Sequence, residues 1–409
     1  MMKEKEKQSL DLPISSLTKP YSPENKLLLS CIRYQLNSAT ASDIRDLLRR
    51  DVHWDILVSN AVRQNVFTLV YKTLKINNSK IIPSSVFERM EIEAQKRMTY
   101  NLFLTHKLFQ VLNLFAEHNI QAIPFKGPIW AQLAYGNMGL REFSDLDILV
   151  RPQDFSKAKD VLIEQGYYDK NFGANEKSLG EAQMVLPDRR TNIDVHYKLT
   201  PRDFYLQVET ESFFEGLQTL SLLGKKIATF SPENSLAISY LQGTKDSWNS
   251  LKRICDFGRL IQTYPEANWQ EVIARCQTDE NDRVFFLGVA IAQTYLQISL
   301  PEILSEKLKQ FPEVVKIARQ HEEYMYHKNM EYSYIFYIVS LWEKRETSLW
   351  SKLQYFLKIA FRVNASDREV LFLPSFLFFL YYPLRMIRLI KSYKISQEKI
   401  SSLWNLFKG

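Results

Sequence analysis

The sequence predicts an α+β protein that is mainly helical, with a small mixed sheet set between N- and C-terminal helical regions. Three observations carry this. Glycine is scarce, 12 in 409 residues, in a chain that is 45% hydrophobic and 13% aromatic, which suits long helices joined by few tight turns. Strand-like runs are confined to residues 119–230. On either side, apolar residues recur at spacings of three and four, which places them on one helix face. The length allows two or three domains. We expect a disordered tail over 1–21, a helical N-terminal domain over 22–118, an α/β core over 119–230 and a helical C-terminal domain over 231–409.

The tail begins MMKEKEKQSL, too charged to fold alone and without the apolar stretch of a signal peptide. Helical signals start at Ser22-Pro23-Glu24, where serine caps, proline suits the first turn and glutamate complements the helix dipole. A second helix starts at Ser42-Asp43, and further patterns cover 52–75 and 84–118. From Ile120 the character changes. Residues 121–125 read as a strand, 128–135 as a helix, 145–150 as a strand and 153–165 as a helix closed by Gly166. Strands at 183–186 and 192–197 flank Asp188-Arg189-Arg190 as a hairpin, and 226–230 reads as a last strand. After Ser231-Pro232-Glu233 the pattern is helical near 232–242, 247–263, 268–278, 282–298, 312–328 and 347–361.

Composition sets bounds on function. A net charge of +7 permits an anionic partner without demanding nucleic acid. Cys31, Cys255 and Cys276 form no CxxC pair, which supports neither a zinc site nor a disulfide framework and points to a reducing cytoplasm. The run VLFLPSFLFFLYY at 370–382 falls short of the ~20 apolar residues that span a bilayer. Arg385, Arg388 and Lys391 follow at helical spacing. Two readings of 370–394 stay open: a buried terminal helix with a basic edge, or peripheral contact with an anionic membrane surface.

The chemistry concentrates between Phe125 and Val150, FKGPIWAQLAYGNMGLREFSDLDILV. Asp145 and Asp147 stand two apart where an Ile-Leu-Val strand begins, so both carboxylates point to one side. Paired carboxylates are most often ionised together by a divalent metal, and Mg²⁺ is usually held by one or two of them plus substrate phosphates. Asp194, in Asn192-Ile193-Asp194-Val195-His196, shares a strand face with His196 while Ile193 and Val195 turn to the core. If the two strands are neighbours, three acids converge as two-metal transfer to phosphorus requires. His196 reads as a supporting or surface residue rather than a ligand. Lys126-Gly127 precedes a helix, so Gly127 lets backbone amides approach a phosphate and Lys126 adds a point charge. Arg141 either holds phosphate or pairs with an acid. Lys252 and Asp256 are i and i+4 on one helix, either a surface ion pair or a lysine reaching across the cleft to a triphosphate. An acid beside another acid gains little stability without metal, so Asp147→Asn is expected to leave the fold intact.

Together these residues resemble the nucleotidyltransferase superfamily, whose fold is shared with DNA polymerase beta. The closer resemblance is to the bacterial uncharacterised nucleotidyltransferase family, through Lys126-Gly127, Tyr135, Arg141, the Asp145-Leu146-Asp147-Ile148-Leu149-Val150 strand, Asp194, and the helix with Trp248, Leu251, Lys252 and Asp256. The likeness covers residues 22 to 390 and is most specific over 120–197. The same order resembles nucleotidyltransferase toxins of abortive-infection systems and aminoglycoside nucleotidyltransferases. Where the superfamily turn has Gly-Gly or Gly-Ser, this chain has Gly127-Pro128. The resemblance implies a cytoplasmic Mg²⁺-dependent enzyme, with two ions, that moves an NMP group from an NTP such as ATP to an acceptor. In it Asp145, Asp147 and Asp194 bind metal, and Lys126, Gly127, Arg141 and Lys252 hold the nucleotide. The acceptor is left open among a small molecule, a sugar, a peptide and tRNA. The rivals are a toxin-like tRNA nucleotidyltransferase and a catalytically idle scaffold of the same fold.

Overall fold

The computed structural model describes residues 22–78, 81–170, 179–201, 208–276 and 282–325, together with Pro383. The tail at 1–21, the helix expected at 347–361 and, Pro383 apart, the apolar and basic segment at 370–394 lie outside the described residues. Everything described up to Met325 belongs to one unit, Met1–Ser340; a second unit comprises Leu341–Gly409. The protein is α+β and mainly helical, as expected.

The chain enters through helices α1 (Pro23–Gln35), α2 (Ala41–Leu48), α3 (Trp54–Arg63), α4 (Phe67–Asn78) and α5 (Ser84–Glu117). Ser22 caps α1 by accepting from the Asn25 amide, and Thr40 with Asp43 forms a capping box on α2. The single pattern read at 52–75 is two helices, because Asn65 turns the chain in the left-handed region at φ 54°. Leu27, Leu28, Ile32, Leu57, Val70 and Leu74 bury completely or nearly so where α1 packs on α3 and α4.

The core follows as β1 (Ala122–Phe125), α6 (Gly127–Leu133), β2 (Leu146–Val150), α7 (Phe155–Glu164), β3 (Tyr168–Asp169), β4 (Glu181–Val185) and β5 (Asn192–His196). The five strands run in the order β1-β2-β5-β4-β3. The β2–β5 pair is parallel and the other pairs are antiparallel, so the sheet is mixed. Helix α7 packs against β4 and β5 and buries Ala158 and Leu162. A separate two-stranded sheet, β6 (Gln218–Leu222) with β7 (Lys225–Thr229), was expected only in its second strand. Its turn is Leu223-Gly224, with φ 47° and 80°, positive at both central positions as hairpins prefer.

Helices α8 (Pro232–Lys245), α9 (Leu251–Thr263), α10 (Trp269–Cys276), α11 (Arg283–Leu296), α12 (Glu302–Leu308) and α13 (Pro312–Met325) complete the described chain. The α8–α9 turn holds two consecutive non-glycine residues at positive φ, Ser247 (54°) and Trp248 (53°). That turn drives Trp248 into the core, fully buried, among the rings of Tyr240 and Phe257. Gly243 and Gly288 are the spaces that admit it, since a Cβ on either would overlap the indole. Among the described residues no helix is long and apolar enough to cross a membrane.

Candidate active site

The parallel pairing of β2 with β5 sets Asp147 directly opposite Asp194 and Leu149 opposite His196. Strand alternation turns Asp147, Asp194 and His196 to one face. Leu146, Ile148, Ile193 and Val195 turn to the other and are fully buried. One ligand atom from each of Asp147, Asp194 and His196 lies within 4.8 Å of the others. Asp145 sits on the bend before β2, half-buried, and lines the same cleft as Asp147, but outside that group of three.

Asp147 is 5% exposed and carries two cationic neighbours on one oxygen. The Lys126 ammonium donates to Oδ1 at 2.5 Å, and His196 Nε2 reaches the same atom at 3.1 Å. The other ring nitrogen, Nδ1, lies 3.2 Å from Glu181 Oε2. Burial opposes charge on each group, but the contacts outweigh it. His196 is raised to about 9 by Asp147 and Glu181, Glu181 is lowered to about 2 by His196, and Asp147 falls below the usual carboxylate range through Lys126 and His196. Asp194 goes the other way, up to about 7, because it is buried and faces the Asp147 charge. Gln183 Nε2 donates to its Oδ1 at 3.3 Å. Two carboxylates in register do not both ionise readily without a cation between them. The oxygen donors present therefore suit a hard divalent ion, with Asp147 and Asp194 as its holders.

Lys126 adopts φ 54° and ψ −139°, a backbone state that glycine favours, and Gly127 follows at φ 32°. A strained non-glycine residue beside a charged cleft is the kind of outlier that points to a functional site. A Cβ on Gly127 would meet the Asp145 carbonyl only in ordinary contact at 3.4 Å, so it is the positive φ that favours glycine here. Arg141 pins that turn: its Nη1 donates to the Gly127 carbonyl at 3.3 Å, while Nε and Nη2 each donate to Asp256 at 2.9 Å. Tyr135 donates its hydroxyl to the same carboxylate at 3.0 Å. Of the two roles read for Arg141, the structure supplies the acid.

Asp256 is thereby taken, and Lys252 makes no ion pair with it. Lys252 instead lines the cleft, and burial with the neighbouring Arg141 charge lowers its ammonium to about 8. The cleft, of about 90 Å³, thus has Asp145, Asp147, Lys126 and Gly127 on one side and Ser239, Gln242 and Lys252 of α8 and α9 on the other.

The structure therefore gathers Lys126, Gly127, Arg141, Asp145, Asp147 and Lys252 about one cleft, with Asp194 adjoining through its register with Asp147. His196, read as a surface or supporting residue, is 4% exposed and touches the central acid. Glu181 and Gln183 were missed. Their alternation with Ala182 and Met184 was the available signal, but the strand was read as starting at 183, which cut Glu181 off.

A family model described as uncharacterised nucleotidyltransferase matches residues 50–297, the span that contains every residue of this site. No curated protein matches the chain. Among solved structures, the chain is similar to an antigenic nucleotidyltransferase-like protein from Paracoccidioides brasiliensis, with 15% identity and a TM-score of 0.27 over 53% of this chain and 92% of that one.

Proposed function

Because the chain belongs to the uncharacterised nucleotidyltransferase family, we propose that it is a divalent-metal-dependent nucleotidyltransferase that moves an NMP group from an NTP to an acceptor nucleophile. We place it in the superfamily that shares its fold with DNA polymerase beta, with Mg²⁺ as the ion and the cytoplasm, where NTPs abound, as its home. The observation that carries the reading is the register of Asp147 with Asp194 on parallel strands, opposite a lysine–glycine turn.

Asp147 and Asp194 would hold the ion, with Asp145 at the rim available to a second. When bound, the metal neutralises phosphate charge and lowers the barrier to attack at phosphorus. The chain's own groups do the rest. Lys126 and the Gly127 backbone bind phosphate oxygens on the acidic side. Lys252 faces them and receives the charge that develops on departing pyrophosphate. The acceptor oxygen bonds to the α-phosphorus as the bond to the β-phosphate oxygen breaks, and the Asp194 carboxylate, placed in register with Asp147, takes the acceptor's proton. Arg141 and Asp256 keep the turn and α9 in place. In this division of labour, 22–118 supports the turn, 119–230 carries the acids and the helical part from 231 supplies the facing wall.

Thermal melts with millimolar Mg²⁺ and each NTP test the binding step, because a ligand that binds only the folded state must stabilise it. Wild type should rise in Tm, and Asp194→Asn should lose most of the rise. A wild-type melt that no Mg²⁺–NTP moves would make the protein a scaffold. Mass spectrometry of products from labelled NTPs and cell extract then identifies the acceptor, and a labelled tRNA would select the toxin-like reaction.

A further inference from the structure

We propose, resting on the nucleotidyltransferase reading above, that Glu181 acting through His196 is a positioning residue for Asp147: the pair fixes the rotation of that carboxylate so that Oδ2 faces the cleft. The argument starts at β4. It pairs antiparallel with β5, setting Glu181 opposite His196 and Gln183 opposite Asp194. Both β4 side chains therefore lie on the face that carries the acids.

Glu181 Oε2 meets His196 Nδ1 at 3.2 Å, and His196 Nε2 meets Asp147 Oδ1 at 3.1 Å. The edge-on Phe125 ring, 5.2 Å away centre to centre, limits the tilt of the imidazole. Lys126 bonds to Oδ1 as well. Two cationic donors thus grip one oxygen of Asp147 from different elements. The other oxygen takes no hydrogen bond among the described residues, and Asp147 lines the cleft. A carboxylate held by one oxygen presents the other. Both ring nitrogens of His196 are turned onto carboxylates, which leaves the imidazole no lone pair for a metal, so its part is orientation. Lys245 of α8 adds a positive charge near Glu181. On the next alternate position, Gln183 holds Asp194 by Oδ1 in the same way.

The test uses Mn²⁺ alone as the probe, titrated into the full-length protein and followed by electron paramagnetic resonance, with melts as a folding control. The Glu181 side chain is 25% exposed, so its variants should fold. Glu181→Ala should weaken Mn²⁺ binding about tenfold, as loss of a residue that orients a ligand typically does. Glu181→Gln should recover much of the loss by keeping a hydrogen-bond acceptor. The double variant Glu181→Ala/His196→Gln should bind no worse than His196→Gln, because the two act as one chain. Unchanged affinity in Glu181→Ala, with wild type binding normally, would overturn the inference alone. So would directly bonded nitrogen in the spectrum of wild-type bound Mn²⁺, which would make His196 a ligand and needs no variant. Wild type that binds no Mn²⁺ would overturn both the inference and the functional reading.

Discussion

Asp147 reverses an expectation drawn from its neighbours in sequence. Beside Asp145 it reads as a repelled acid that Asn could replace freely. In the fold it is the buried partner of Lys126 and His196, and removing its charge leaves Lys126 unpaired at the cleft wall and the buried His196 with Glu181 alone. Breaking a buried ion pair by deleting one partner costs about 3–5 kcal/mol, so Asp147→Asn should lower Tm by many degrees in metal-free urea or thermal unfolding. Asp194→Asn should not, because burial and Asp147 already disfavour its charge. The sequence showed which carboxylates share a face but not what neutralises them, since Lys126 and His196 reach Asp147 only through tertiary placement. His321 on α13 is a second residue of this kind. Its Nδ1 lies 2.9 Å from the Tyr295 hydroxyl and its Nε2 3.3 Å from the Ser247 carbonyl, which suits a neutral ring with its proton on Nε2. Burial lowers its pKa to about 4, beneath the unfolded value of about 6.5. The unfolded chain therefore binds more protons between those values, and stability should fall as pH drops from about 6.5 to about 4. A shift of that size corresponds to a few kcal/mol. Urea midpoints at pH 7 and 4.5, compared with His321→Gln, check it: the variant should lose less stability between the two.

At the scale of elements, strands were read where alternation was strict. The β5 faces were legible because Ile193 and Val195 alternate with polar residues, whereas β2 is buried along its whole length and only the strand period places Asp147. Helix starts were legible where Ser and Pro mark them, at α1 and α8. The α8–α9 turn was not legible. Helix was expected from 247, yet Ser247 and Trp248 are left-handed and α9 begins at Leu251. Neither left-handed residue is the glycine or asparagine that usually takes that conformation, and what holds the turn is the Trp248 ring seated against Gly243 and Gly288. Gly243→Ala should therefore destabilise by about 1–3 kcal/mol, the usual cost of overpacking, even though alanine favours helix. A Gly243→Ala protein with an unchanged or higher denaturation midpoint would contradict this packing.

At the scale of the whole molecule, the class of fold was legible because helical and strand periodicities occupy different stretches of the chain. The far wall of the cleft was not legible from spacing, because it comes from helices about a hundred residues beyond the acids, and only the family resemblance put Lys252 there. Lys252 is the clearest case: spacing pairs it with Asp256, and the fold gives Asp256 to Arg141, which frees the lysine for the cleft. Its ammonium, lowered to about 8 by burial and Arg141, is charged below that pH and neutral above it. NTP affinity should thus weaken as pH rises through about 8 and beyond, and Lys252→Arg should hold its affinity to higher pH, because a guanidinium stays protonated. Calorimetric titrations at pH 7 and 9 on both proteins would reveal the difference.

On the proposed function, the grip of Lys126 on Asp147 would make metal and triphosphate thermodynamically interdependent. A metal arriving alone at the free oxygen of Asp147 meets the repulsion of an ammonium already seated on the other. A triphosphate offers that ammonium another anion, and its departure from Asp147 leaves the carboxylate freer for the metal. Each ligand thereby removes part of the obstacle to the other, which is positive coupling and must be reciprocal. The apparent Mn²⁺ affinity should tighten when a non-hydrolysable NTP is present, by the same factor that Mn²⁺ tightens the nucleotide. In Lys126→Met that mutual gain should shrink, while Mn²⁺ alone binds at least as well as to wild type. The lysine that the sequence offered as a phosphate hook would then also act as a resident counter-ion, guarding the site until fuel and metal come together.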